Sequence, residues 1–230
     1  MGSKYEKNYT DKGYLMSYNK PQVAPLFKSL VLQFYIALDD IKPEIWRRIQ
    51  VPSDYNFWDL HVAIQDSMGW LDYHLHHFDI RPKRKQKTYR IGIPDFEGIA
   101  DLEEVYPGWE ISVMEYFNVP GVEAKYEYDY GDSWVHNIKL EGYIYKEKGL
   151  KYPHCMDGER ACPPEDCGGI PGYNNIVNIL SNSKHPEYKE IRRWLGNKWM
   201  PDHFNRKDIK FDNPYKRWEY AFLNEGNNPG

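Results

Sequence analysis

The feature that constrains the fold most is a change of hydrophobic period between residues 29 and 70. The run SLVLQFYIAL (29–38) is almost continuously apolar and rich in Val, Ile, Phe and Tyr, which predicts a central strand. After a Pro-containing turn, EIWRRIQV (44–51) alternates. Ile45, Arg47 and Ile49 fall on one face and Trp46, Arg48 and Gln50 on the other, as in a second strand paired with the first. In SDYNFWDLHVAIQDSMGW (53–70) the period becomes helical. Phe57, Leu60, Ile64 and Met68 form a stripe, with Ser53, Asp54 or Asn56 as N-cap and Gly69 as the stop.

Further along, YHLHHFDI (73–80) alternates as a strand, and the basic stretch RPKRKQKTYR (81–90) interrupts it. AKYEYDYGDSWVHNIKLEGYIY (124–145) reads as two strands around Gly131 and Asp132. GYNNIVNILSN (172–182) and HPEYKEIRRWLGNKW (185–199) have helical periodicity, with Pro186 suited to a first turn and Gly196 to a stop. The expected fold is α+β, a mixed or antiparallel sheet with one long helix after the second strand and a helical C-terminal part. Residues 1–25 read as a polar tail or docked arm, and 26–225 as a single domain.

The charge balance narrows the partners. A net charge of −4 and a pI of about 6.1 give no global attraction to nucleic acid or to anionic lipid. No apolar run approaches the roughly 18 residues of a membrane span, and the start shows no secretory signal. An odd number of cysteines, three, argues against a disulfide framework. The reading is a cytoplasmic chain with reduced thiols and no membrane partner.

LDDIKPEIWRRIQVP, FWDLHVAIQDSMGWLDYHLHHF, YEYDYGDSWVHNIKLE and CMDGERACPPEDCGGIPGY, in this order over roughly residues 28–205, resemble the Ri-plasmid ORF-3-like family. The resemblance implies a compact α+β fold, no established reaction, and a link to plasmids or mobile elements.

The residues themselves offer four candidate sites. Cys155, Cys162 and Cys167 lie within CMDGERACPPEDCGG (155–169), separated by six and four residues, so neither pair has a tight zinc-knuckle spacing. As zinc ligands they need a fourth donor such as His76, His136 or His154. The alternative is a Pro-stiffened loop in which Glu165 and Asp166 accept hydrogen bonds and Gly168 and Gly169 take positive φ angles. In HLHH, strand alternation puts His74 and His76 on one face, suited to chelation or to acid–base work. In YDYGDSWVHN, Trp134 and His136 share a face, and Asp129 and Asp132 flank the turn, where an Asx bond to their own backbone is the plain reading. Finally Arg81, Lys83, Arg84, Lys85, Lys87 and Arg90 form a basic run that suits phosphates or a solvated loop equally.

No nucleophile elbow, phosphate loop, dinucleotide fingerprint or His-Glu-x-x-His is present. The expectation is a non-catalytic binding module for nucleic acid or a protein partner. Its alternative is a metal-dependent hydrolase or nuclease, with zinc on His76, His136 and Asp132 and with Glu165 or Asp166 as the acid–base group.

Overall fold

The computed structural model describes residues 9–10, 13–14, 17–82, 87–94, 105–196 and 199–223. Among these residues its centre is an eight-stranded mixed sheet, with six α-helices in addition, so the chain is α+β. The strands are β1 (Leu30–Leu38), β2 (Trp46–Pro52), β3 (His76–Ile80), β4 (Tyr89–Gly92), β5 (Val105–Pro107), β6 (Glu123–Tyr128), β7 (Trp134–Tyr145) and β8 (His154–Glu159). Their order is β8-β2-β1-β7-β6-β3-β4-β5, antiparallel throughout except for the parallel pair β4–β5.

The apolar run at 30–38 is central, as expected, with β2 on one side and β7 on the other. Alternation then decides what each strand buries. On β7, Trp134, His136, Ile138 and Leu140 are buried, whereas Asn137 and Lys139 between them are exposed. On β6, Ala124, Tyr126 and Tyr128 point inward.

The long helix α1 (Phe57–Met68) packs Phe57, Leu60, Ala63, Ile64 and Met68 into this core. Asn56 is its N-cap, accepting from the Asp59 N–H at 2.8 Å while the Asp59 carboxylate accepts from the Asn56 N–H at 3.1 Å. Gly69 ends the helix in the left-handed conformation, which costs glycine nothing. The Asp59 carboxylate also accepts from the Tyr18 hydroxyl and, at 2.9 Å, from Lys20, so the segment from Ser17 is a docked arm.

Three longer helices follow, α2 (Gly169–Ser181), α3 (Tyr188–Leu195) and α4 (Pro214–Leu223), and the remaining two, Pro25–Lys28 and Val113–Tyr116, are single turns. α4 lies against α1. Trp218 and Phe222 meet Trp58, whose indole N–H donates to the Pro214 carbonyl at 2.9 Å. Among the described residues no helix is long and apolar enough to cross a membrane.

Two local expectations change. Residues 154–159 are an edge strand on β2 rather than loop, with a register shift between Cys155 and Asp157. The strand expected at 73–80 begins only at His76, so His74 does not share a strand face with His76.

Candidate functional site

Three segments far apart in sequence meet at one end of the β6–β7 hairpin. The Asp129 N–H donates to the Leu75 carbonyl at 3.0 Å and joins the 71–75 loop to the hairpin. The cysteine-bearing loop closes over the turn, where the Gly168 N–H donates to Asp132 Oδ2 at 3.0 Å. Gly169 lets this happen. A Cβ there would stand 2.6 Å from the Asp132 carbonyl oxygen, and its φ is +65°.

The result is a cluster. His74 Nε2 lies 3.0 Å from Asp166 Oδ1 and 3.6 Å from Asp129 Oδ2. Glu165 is beside them, accepting from the Leu71 N–H at 2.7 Å and from the Tyr128 hydroxyl at 3.1 Å. Burial raises the Glu165 carboxyl above its ordinary value, against those two bonds. Asp129 is nearly buried, and its Oδ1 accepts from the Gly131 N–H at 2.9 Å, the Asx turn expected there. Asp129 and Asp166 both hold left-handed backbone, φ 58° and 52°, a conformation that aspartate tolerates better than most residues. Around the charges stand exposed apolar side chains: Leu71 (61% exposed), Tyr73 (69%), Leu75 (52%) and Tyr130 (47%).

A second cluster lies inside. His61 on α1 stacks on His76 of β3, and Asp72 reaches His61. The hydrogen bonds assign the tautomer. Gln65 Nε2–H donates to the Tyr126 hydroxyl, whose O–H donates to His61 Nδ1 at 2.8 Å, and His61 Nε2–H donates to Asp72 at 2.7 Å. Burial pushes the Tyr126 hydroxyl far up, so it stays protonated at neutral pH. His76 is held neutral by burial and by the neighbouring His61 and His77. Donor atoms of His61, Asp72 and His76 lie within 4.8 Å of one another, and the hydrogen bonds make the cluster a polar brace between α1, β3 and β6.

Of the other expected residues, Trp134 and His136 are core side chains. His136 Nδ1 lies 3.1 Å from the Trp134 carbonyl, and burial lowers the imidazole to about 4. The cysteines are free thiols. Burial raises Cys155 to about 11 and Cys167 to about 12, and raises Cys162 further. Among the described residues no group with metal-ligand geometry includes a cysteine or His136. The ligand sets built on those residues are therefore not assembled.

The basic run divides. Lys83, Arg84 and Lys85 lie outside the described residues. Arg90 makes a two-pronged ion pair with Asp79 at 2.9 and 2.8 Å, and Lys87 lies 5.6 Å from the Tyr89 ring centroid. Arg81 directly follows β3.

Sequence reasoning missed Asp72, His61, Arg47 and the exposed 71–75 loop. A signal for His61 existed: with Phe57 before it and Gln65 after it, it repeats at one-turn spacing along α1.

Comparison with known proteins gives the lineage. The model of the plasmid pRiA4b ORF-3-like protein family matches residues 30–208. The uncharacterized protein y4hQ of Sinorhizobium fredii is 32% identical over 170 residues, covering 72% of this chain and 81% of that one. A crystal structure of a protein of unknown function, MM3350 from Methanosarcina mazei Go1, is 38% identical with a TM-score of 0.70 and covers 79% of this chain and 98% of that chain. These relatives carry no assigned reaction, and this chain belongs to the plasmid pRiA4b ORF-3-like protein family.

Proposed function

We propose that the chain is a cytoplasmic, non-catalytic binding module that grips a basic segment of a protein partner. The observation that carries this is the composition of the hairpin end, four carboxylates (Asp129, Asp132, Glu165 and Asp166) and His74 ringed by exposed Leu71, Tyr73, Leu75 and Tyr130. Carboxylates attract Lys or Arg, and the rings and leucines suit the apolar stems that carry those charges. Phosphates are repelled by the same surface, and Arg90 is already neutralised by Asp79, so nucleic acid is the weaker partner.

The test is fluorescence anisotropy with a labelled Arg- and Lys-rich peptide and, separately, a labelled DNA duplex. The peptide should bind, and Asp129→Asn with Asp166→Asn should weaken it by about tenfold or more. Preferential duplex binding, or peptide binding indifferent to the double substitution, would refute the reading.

One observation favours a second reading. Donor atoms of His74, Asp129 and Asp166 lie within 4.8 Å of one another, and one imidazole with two carboxylates is a donor set that zinc accepts, with room for water. In that reading the site is a metal-dependent hydrolase centre. Zinc titration by calorimetry decides it: a single site lost in His74→Ala supports the metal, and no heat refutes it.

A further inference from the structure

Arg47 carries a buried charge with no anionic partner. It is 3% exposed, and its three hydrogen bonds all go to backbone carbonyls: Nε to Ser67 at 2.9 Å, and Nη1 to Trp46 at 2.8 Å and Glu159 at 3.0 Å. No carboxylate of the described residues forms an ion pair with it, and Nη2 donates to none of those residues. The thiols that act on it electrostatically, Cys162 and Cys155, are kept protonated by burial. A guanidinium does not lose its proton in a protein, so an anion-free burial of this kind is costly.

Arg47 lines a cleft of about 320 Å³ between the end of α1, the cysteine-bearing loop and the 199–210 segment, a volume within the small-molecule range of roughly 300–1,000 Å³. The apolar part of its wall is fixed. The Trp70 indole N–H donates to the Pro163 carbonyl at 2.9 Å, and that of Trp199 donates to the Cys162 carbonyl at 3.2 Å. Phe204 covers one side of the guanidinium, its ring centroid 4.3 Å from Cζ. Gly158 makes the space, since a Cβ there would come within 2.9 Å of Arg47 Cδ and 2.7 Å of the Phe204 ring.

Lys210 also lines the cleft, and the cleft's carboxylates are already hydrogen-bonded. Asp66 is held by Arg217 at 2.7 Å and by the Asp212 N–H at 2.8 Å, Glu165 by the Leu71 N–H and the Tyr128 hydroxyl, and Asp208 by Asn205 at 3.1 Å. Arg47 is the buried cation of the cleft, and no carboxylate of the described residues pairs with it. These three carboxylates repel a doubly charged phosphate more strongly than a singly charged anion.

We infer that the cleft binds a small carboxylate with a ring-sized apolar body, its carboxylate on Arg47 and its body among Met68, Trp70, Trp199, Phe204 and Ile209. The ligand is held where the partner-binding surface begins, because Glu165 lines the cleft and also stands in the His74 cluster.

Isothermal titration tests this on the full chain with phenylacetate and indole-3-acetate, against benzyl alcohol and inorganic phosphate. At least one carboxylate should fill a single site, with benzyl alcohol bound about tenfold more weakly or worse, as loss of a charge-assisted hydrogen bond requires. Arg47→Gln should lose that preference, and Ile209→Trp, which crowds the wall without touching Arg47, should weaken the carboxylate by a similar factor. The inference is overturned if neither carboxylate binds, if benzyl alcohol binds as well, if phosphate binds in preference, or if Ile209→Trp binds like the unmodified chain. Should Arg47→Gln not fold, the alcohol comparison and Ile209→Trp decide. The DNA and basic-peptide measurements are independent of this result.

Discussion

The imidazoles of His61 and His76 stack face to face, their centroids 3.4 Å apart and their planes 6° from parallel. Two imidazolium rings cannot share that geometry without strong repulsion, and His76 is buried besides. Tyr126 and Asp72 satisfy both nitrogens of His61, so the pair ties α1 to β3 and β6 as a polar brace. A polar brace in a core has a pH dependence that an apolar one lacks.

That dependence has a definite sign. An unfolded histidine takes up its proton near pH 6.5, about its ordinary value, whereas burial delays protonation of His136 to about 4. Between these values the unfolded chain binds more protons, so the fold loses stability as pH falls through the window. His136 alone accounts for roughly 3 kcal/mol at full extent, and His76 acts in the same direction. Urea midpoints of the unmodified chain and His136→Gln, measured from about pH 7.5 down to about pH 4.5, should converge as pH falls. Parallel curves would contradict the account.

The cysteines should behave as core side chains. With all three thiols raised by burial, little thiolate is present at neutral pH. Alkylation by iodoacetamide should be slow in the folded chain and label three thiols per chain after unfolding. Rapid labelling of native Cys162 would contradict its burial.

The closure of the cysteine-bearing loop on the hairpin rests on Gly169, and also on Gly172, where a Cβ would stand 1.7 Å from the Cys167 carbonyl oxygen. Gly169→Ala and Gly172→Ala should each cost about 1–3 kcal/mol. Gly142→Ala, at a position where a Cβ meets nothing within 4 Å, should stay within roughly 0.5 kcal/mol. Chemical denaturation distinguishes these outcomes, and a silent Gly169→Ala would contradict the packing.

Docking of the N-terminal arm depends on Asp59, which caps α1 and receives Tyr18 and Lys20. Asp59→Asn keeps the shape and removes the charge. It should cost about 1–2 kcal/mol and expose residues 17–24 to protease. Unchanged cleavage there would show that the arm docks by other contacts.

Where the sequence was legible, one periodicity governed burial. The central strand, the alternating β2, the capped α1 and the β6–β7 pair all follow from side chains that a single face must hide. The edge strand at 154–159 was not legible, because HCMDGE has neither an apolar run nor alternation and gains its order from β2. The His74 cluster was half legible. Asp129, Asp132, Glu165 and Asp166 stand out in turn-forming stretches, but their meeting depends on contacts from Gly168 to Asp132 and from Leu75 to Asp129 that join residues far apart in the chain. Arg47 looked like an ordinary charge on a mixed strand, and only the closed fold reveals that it is buried and that no carboxylate of the described residues pairs with it.

The most direct test of the central claim is a map of amide chemical shifts during titration with the Arg- and Lys-rich peptide. The account predicts shifts confined to residues 71–75, 129–133 and 165–169, abolished in the Asp129→Asn, Asp166→Asn chain. Shifts centred instead on 87–92, or none at saturating peptide, would contradict it.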